Sequence, residues 1–82
     1  MEKRIGAAIV LVENKESVEE LNLILSVHSS IILGRQGMPL RDKGISVINL
    51  IIEGTTEQIS SLTGKIGRLE GVQVKSVLTR YR

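Results

Sequence analysis

The spacing of apolar residues changes several times along the chain, and each change marks an element of predicted structure. Four short runs rich in Ile, Val and Leu predict strands, because β-branched residues at continuous or alternating positions are typical of buried strands. These strands, numbered β1 to β4, occupy residues 5–12, 31–36, 45–52 and 72–79. Apolar residues recur at helical spacing over residues 18–28 and 55–70, which predicts helices α1 and α2.

Capping residues support both predicted helices. Ser17 stands three residues before Glu20, and the pair fits a capping box, in which each side chain bonds to a backbone N–H of the helix start. Thr55 and Gln58 fit the same pattern at α2. Gly71 follows the predicted end of α2, at the C′ position where glycine is common.

A break between two strands completes the predicted topology. Gly37, Pro39 and Gly44 interrupt regular structure, so we expect residues 36–44 to form the loop of a long hairpin between β2 and β3. The order is then β-α-β-β-α-β, which is that of the ferredoxin-like sandwich. The predicted fold is therefore α+β, with two helices on one face of a four-stranded antiparallel sheet, in a single domain that spans residues 1–82.

Strands β1 and β3 are apolar on both faces, whereas an antiparallel sheet with one solvated face should alternate. In β3 one face carries Ser46, Ile48, Leu50 and Ile52, and the other carries Ile45, Val47, Asn49 and Ile51. Exposing about five such side chains, at roughly 1.5–3 kcal/mol each, would forgo on the order of 10 kcal/mol. We therefore expect the face of Ile45, Val47, Asn49 and Ile51 to bind another copy of the chain, in a homodimer or homotetramer.

Composition limits the classes of protein to which the chain can belong. The 82 residues include no cysteine, which excludes disulfide scaffolds and the usual Cys-based zinc sites. A net charge of +2 does not by itself indicate nucleic-acid or membrane binding, and no apolar stretch approaches the roughly 18 residues that span a bilayer. The run at residues 5–12 lacks a cleavage site, so we interpret it as a strand and expect a cytoplasmic protein.

Three cations, Arg35, Arg41 and Lys43, lie in or beside the predicted loop and are candidates for contact with a ligand or partner. Arginines on a glycine-rich loop can bind a carboxylate or phosphate through paired hydrogen bonds. They could equally form salt bridges between subunits or be solvated, and their spacing matches no phosphate-binding motif. Asn49 could line a small pocket or, as we favour, bond to its symmetry mate and fix the register of association.

No arrangement of residues indicates catalysis. The single histidine, His28, could be a metal ligand or a general base, but the dipole of α1 explains a histidine at its end, so we expect no metal and no cofactor. Domains of this topology that bind RNA stack bases on aromatic residues of β1 and β3, and these strands contain none. We therefore expect a protein that is not an enzyme and does not bind nucleic acid directly.

The segment over residues 34–48 reads GRQGMPLRDKGISVI and resembles the signature G-R-x-G-x-P-x-R-x-x-G-[IV]-S-V-I of the iron-only hydrogenase system regulators. The later segments at residues 54–56 and 62–72 fit the same family. The resemblance implies a regulatory role and a fold similar to that of ACT domains and of the ligand-binding domain of the nickel-responsive regulator. Those domains sense small molecules at oligomer interfaces.

Two departures narrow what the resemblance implies. The nickel regulator binds its metal through His and Cys residues on two strands. The matching segments here read IILG at residues 31–34 and IS at residues 45–46 and contain neither residue type, so nickel sensing does not carry over. The β1–α1 connection also lacks the glycine with which ACT domains approach an amino acid. We therefore expect a homo-oligomeric regulatory module, without its own DNA-binding domain, that senses a small anionic ligand or docks a partner protein. The alternative is a structural or interaction subunit with no ligand.

Overall fold

The computed structural model describes residues 2–80 and contains the predicted elements in the predicted order. The strands are β1 Arg4–Val12, β2 Ile32–Leu40, β3 Ile45–Gly54 and β4 Val72–Leu78. Helix α1 spans Val18–Val27 and helix α2 spans Thr56–Gly67. A short 3-10 turn stands at each end of α1, at Lys15–Ser17 and Ser29–Ile31. The prediction of an α+β, ferredoxin-like fold is confirmed.

The four strands form one antiparallel sheet in the order β2-β3-β1-β4. Strand β1 pairs with β3 on one side and with β4 on the other, so that Val10 lies opposite both Ile48 and Val74. Strands β1 and β3 are therefore central, as expected. Strands β2 and β4 are edges, and each has one row of backbone groups that no strand of residues 2–80 pairs.

Both helices pack on the same face of the sheet, which we call the inner face. Val10 of β1 and Leu50 and Ile52 of β3 point into this layer and are completely buried. Burial of each such side chain contributes about 1.5–3 kcal/mol. The core consists of Ala8, Val10, Val12, Leu21, Leu25, Ile31, Leu50, Ile52, Ile59, Leu62, Ile66 and Val72.

Strand β2 is longer than predicted. The predicted loop over residues 36–44 is wrong for its first half, because β2 continues to Leu40 and only residues 41–44 turn. Pro39 pairs in register with Ser46. An edge strand tolerates proline, since the missing N–H can be on the side that faces no other strand. Gly44 ends the turn with a φ of 69°, in the left-handed region that favours glycine.

The two predicted capping boxes have different outcomes. At α2 the Thr55 hydroxyl accepts from the N–H of Gln58 at 3.1 Å, and the Gln58 side chain accepts from the N–H of Thr55 at 2.9 Å, which confirms the box. The Ser17 box is wrong, because the Ser17 hydroxyl donates to the backbone carbonyl of Glu70 at 2.7 Å. Ser17 is buried, so its hydroxyl needs a partner, and the connection after α2 supplies one.

Helix α2 ends at Gly67, earlier than predicted, and Gly71 is therefore not its C′ residue. Gly71 lies directly before β4 with a φ of 72°. A Cβ atom at Gly71 would lie 2.5 Å from the Cβ of Asn14, so the two connections approach too closely for a side chain. The N–H of Glu13 donates to the carbonyl of Gly71 at 2.7 Å, which joins the same two connections.

Candidate functional site

The outer face of the sheet, on the side away from the helices, carries apolar side chains from all four strands. Ile9 is 44% exposed, Ile51 40% and Met38 55%. Among residues 2–80, none of the apolar side chains of this face is fully buried. They are Ile5, Ala7, Ile9 and Leu11 of β1, Ile45, Val47 and Ile51 of β3, Met38 and Leu40 of β2, and Val77 of β4.

Asn49 stands near the middle of the outer face. The strand register places it between Gln36 of β2 and Ile9 of β1, and Ile9 lies opposite Lys75 of β4. A row that includes three polar residues therefore crosses the sheet, with apolar positions on both sides of it. Because an unpaired polar group is costly to bury, a partner that covers this face must hydrogen-bond to Asn49 or leave water there.

Arg35 and Asn49 lie on opposite faces of the sheet. Arg35 is opposite Leu50, on the inner face, and its Nη2 is 3.5 Å from the Oδ1 of Asn22 in α1, at the limit of a hydrogen bond. One small ligand therefore cannot contact both candidates in the same chain.

Arg41 and Lys43 lie in the turn between β2 and β3, beyond the end of the strands. The Nζ of Lys43 is 3.9 Å from the Oδ2 of Asp42, and both side chains are exposed. An exposed pair of this kind contributes about 0–1 kcal/mol, so the turn is not held by its charges. Its cations are accessible to a ligand or a partner.

His28 is the C-cap residue of α1, directly after Val27. Its Nδ1 lies 2.9 Å from the carbonyl oxygen of Ile24, so Nδ1 carries the proton and donates to the helix end. Within residues 2–80 there is no group of three His, Cys, Asp or Glu residues that could hold a metal ion. None of the helices described is long and apolar enough to cross a membrane.

A groove that the sequence analysis missed runs along the inner face between α1 and the edge strand β2. Helix α1 leaves β2 uncovered, so Arg35, Gly37 and Pro39 are all exposed although they point to the helix side. The middle of the groove encloses about 330 Å³, lined by Val18, Leu21, Asn22, Arg35, Gly37 and Ile48 among others. The sequence does contain a signal for this groove. Arg35, Gly37 and Pro39 alternate along one face of β2, where a strand covered by a helix would carry large apolar residues.

A larger cavity of about 520 Å³ lies between the start of α1 and the end of α2, and its lining carries both charges. Glu16 and Glu20 line it from the α1 side, and Lys65 and Arg68 from the α2 side. The acidic residues are where the dipole of α1 favours them. Because residues of both charges line this cavity, it complements a ligand of one charge less well than the groove does.

Comparisons with known proteins agree with the sequence signature. The sequence model of the TM1266-like family, described as "Iron-only hydrogenase system regulator, putative", matches residues 4–76. Among solved structures, the chain is similar to uncharacterized protein TM1266 from Thermotoga maritima, with 31% identity over 96% of this chain and 100% of that chain and a TM-score of 0.92. None of the curated proteins compared with the chain matches it.

Two more distant structures share the fold. The ACT domain from GTP pyrophosphokinase of Chlorobium tepidum has a TM-score of 0.76 and 19% identity over 93% of this chain and 100% of that chain. A nitrogen regulatory PII-like protein from Thiomonas intermedia K12, bound to ADP, AMP and bicarbonate, has a TM-score of 0.50 and 13% identity over 98% of this chain and 100% of that chain. At these identities the likeness concerns the fold, which is ACT-like.

Proposed function

Because the chain belongs to the TM1266-like family, we propose that it is a regulatory module of the cytoplasm that acts by binding, not by catalysis, and works as a homo-oligomer. The ACT-like fold supports this role. Strands β2 and β3 separate α1 from α2 in the chain, so residues 2–80 contain no helix-turn-helix. Regulation would then pass through a ligand or a partner protein.

The outer face is the observation that carries the proposed association. Strands of about nine residues at roughly 3.3 Å each, spaced about 4.8 Å apart, give this face an area of roughly 500 Å². That area, which includes the polar row, is somewhat over half of the roughly 800 Å² that each partner buries in a standard interface. A second copy offers the same apolar surface, and a two-fold axis lets each face cover the other.

Static light scattering tests the association. We expect the wild-type chain to be a dimer or tetramer at protein concentrations of roughly 10–100 µM. A small interface supports a dissociation constant of roughly micromolar size, which is below this range. The change Ile9→Glu puts a charge in the middle of the outer face, and we expect a folded monomer. Leu23→Glu is the matched control, because Leu23 is 62% exposed on α1, away from the sheet. A wild-type chain that remains monomeric at 100 µM, roughly ten times the concentration at which a 10 µM dimer half-forms, would contradict the proposed assembly.

We propose further that the module senses a small anionic ligand, and the exposed cations support this. Arg41 and Lys43 project from the turn and Arg35 borders the groove, so each is accessible to an anion. A ligand present at 100 times its dissociation constant stabilises the fold by about 2.7 kcal/mol, which for a domain of this size raises the melting temperature by about 10 °C or more. We expect such a rise with at least one of phosphate, citrate, ADP or glutamate at 10 mM, about 100 times a weak dissociation constant.

The same melting experiment distinguishes a ligand sensor from the alternative, a structural or interaction subunit. A structural subunit without a ligand would show no rise with any of the four anions. It would also keep the same melting temperature when Arg35 and Arg41 are replaced by alanine. That result would leave the outer-face association intact and remove the sensing part of the proposed function.

The system that the family description names supplies the physiological test. In an organism that carries this chain, we expect deletion of its gene to change the activity of iron-only hydrogenase in cell extracts, and the wild-type gene to restore it. Restoration by the Ile9→Glu chain would show that association is not needed for the regulatory role. Unchanged hydrogenase activity on deletion would contradict the link to that system.

A further inference from the structure

The groove between α1 and β2 is longer than its middle section. Toward the end of α1 it continues into a cavity of about 390 Å³, with which it shares Asn22 and Arg35. Toward the β2–β3 turn it continues into one of about 350 Å³, with which it shares Val18 and Pro39. The three sections form one channel along most of β2, on the side of the sheet opposite to the outer face.

All the charged residues that line this channel are cations. Arg35 stands where the first two sections meet, and Lys15 and Arg41 line the section near the turn. No aspartate or glutamate lines any of the three sections. The channel therefore complements an acidic partner and differs from the mixed cavity between the helices.

The spacing of the cations excludes a small ion as their common ligand. Arg35 lies in β2 and Arg41 is the first residue after it, six positions along the chain, which corresponds to about 20 Å between their backbones where the chain is extended. A phosphate or a dicarboxylate reaches one of them at a time. A chain in extended conformation matches the distance when its carboxylates are also six residues apart, since both then point to the same side.

Between the cations the channel is open and apolar. Val18 is 39% exposed at its wall, and Ile48 lies partly buried at its floor. A Cβ atom built at Gly37, which lies opposite Ile48, would have no atom beyond its chain neighbours within 4 Å, so the strand itself leaves room for a neighbouring chain. The outer edge of β2 also presents backbone groups that no strand of residues 2–80 pairs.

We propose that this channel binds an extended acidic segment of a partner protein. The segment adds to the free edge of β2 ahead of Pro39, where backbone N–H and C=O groups can pair as in strand addition. Two carboxylates six residues apart bind Arg35 at one end and Arg41 with Lys15 at the other. Small apolar side chains between them contact Val18 and the open space at Gly37. This inference rests on the proposed regulatory role, but not on the association through the outer face.

Fluorescence anisotropy with a labelled peptide tests the proposed site. The probe is Gly-Asp-Thr-Val-Thr-Val-Thr-Asp-Gly, in which the aspartates are six residues apart and the two valines point to the same side as the aspartates, and the control peptide has the same composition with the aspartates three residues apart. We expect the probe to bind with a dissociation constant of about 100 µM or below, typical of weak peptide recognition, and the control at least tenfold more weakly. Binding should weaken as salt rises.

Three variants locate the binding. Arg35→Glu reverses the charge at one end of the channel. Gly37→Leu fills the middle of the channel, where a Cβ atom meets no neighbour. Each change should weaken the affinity for the probe at least tenfold. Lys65→Glu makes the same change of net charge on α2, outside the channel, and should leave the dissociation constant within twofold. Circular dichroism and melting temperature confirm that each variant is folded.

Four results would overturn the proposed site. They are no binding of the probe at 1 mM protein, equal affinity for the control peptide, equal affinity for inorganic polyphosphate, and a loss of self-association in the Gly37→Leu chain. The last result would mean that a second copy of this chain occupies the channel. A wild-type monomer in light scattering would contradict the outer-face assembly alone, because the channel and the outer face are on opposite sides of the sheet.

Discussion

The two faces of the sheet are built from the same kinds of residue and have different surroundings. In β1, Val10 is completely buried while its neighbour Ile9 is 44% exposed. In β3, Leu50 is completely buried while Ile51 is 40% exposed. The helices cover the inner face, and no element within residues 2–80 covers the outer one. Apolar residues therefore stabilise the monomer on one face and are available to stabilise association on the other.

The largest expected difference between the faces lies in two adjacent residues of β3. Leu50→Ala leaves a cavity beneath the helices, and we expect the free energy of unfolding to fall by about 2–5 kcal/mol. Ile51→Ala removes a side chain that is already partly in water, and we expect a loss of about 1 kcal/mol in the monomer. Urea unfolding at low micromolar concentration measures both.

Protein concentration sharpens this first comparison. Association stabilises the folded chain as concentration rises, so the wild-type and Leu50→Ala melting temperatures should rise with concentration. The Ile51→Ala melting temperature should rise less, because that variant removes apolar surface from the proposed interface. Parallel behaviour of the two variants at every concentration would contradict the division of roles between the faces.

Elements of the fold are predicted correctly from the sequence where the local signals agree with the tertiary structure. The Thr55 capping box and the β-branched run over residues 45–52 needed no other part of the chain to be interpreted. Ser17 was misinterpreted because its hydroxyl bonds to Glu70, 53 residues away, and no local pattern reports that contact. Strand β2 was predicted too short because Pro39 breaks a central strand but is tolerated at an edge.

A smaller difference between the faces concerns their tolerance of added atoms. At Gly6, on the inner side of β1, a Cβ atom would lie 2.5 Å from the carbonyl oxygen of Val77 and 2.6 Å from a methyl group of Leu78. We therefore expect Gly6→Ala to lower the free energy of unfolding by about 1–3 kcal/mol.

Ala7→Val is the control for this second comparison. Ala7 is the next residue of β1, on the outer face and only half-buried, so we expect its enlargement to change the free energy of unfolding of the monomer by less than about 0.5 kcal/mol. Urea midpoints at low concentration, with equal slopes, measure both changes. A Gly6→Ala chain as stable as the wild type would show that the end of β4 moves freely enough to admit the methyl group.

The candidate site was harder to predict than the fold, because its position depends on where α1 lies over the sheet. Alternation in β3 correctly separates Asn49 from Leu50, since that needs only a period of two. The channel beside β2 exists because α1 stops short of the edge strand. The alternation of Arg35, Gly37 and Pro39 indicates that this face of β2 is uncovered, but no pattern within α1 or within β2 fixes the distance between them. Arg35 was singled out for its residue type, whereas its approach to Asn22 is visible only in the structure.

The smallest expected effect on the monomer is at Asn49, in the middle of the outer face. Asn49 is exposed, so Asn49→Val should change the free energy of unfolding of the monomer by less than about 0.5 kcal/mol. Association should respond differently. If Asn49 bonds to its symmetry mate, valine should tighten association up to about tenfold, about 1.4 kcal/mol, and broaden the distribution of oligomers, because an apolar face without a polar residue specifies register poorly. Sedimentation velocity measures both quantities. An unchanged association constant with an unchanged distribution would place Asn49 outside the buried part of the proposed interface. The centre of that interface would then lie toward the apolar rows on either side of Asn49.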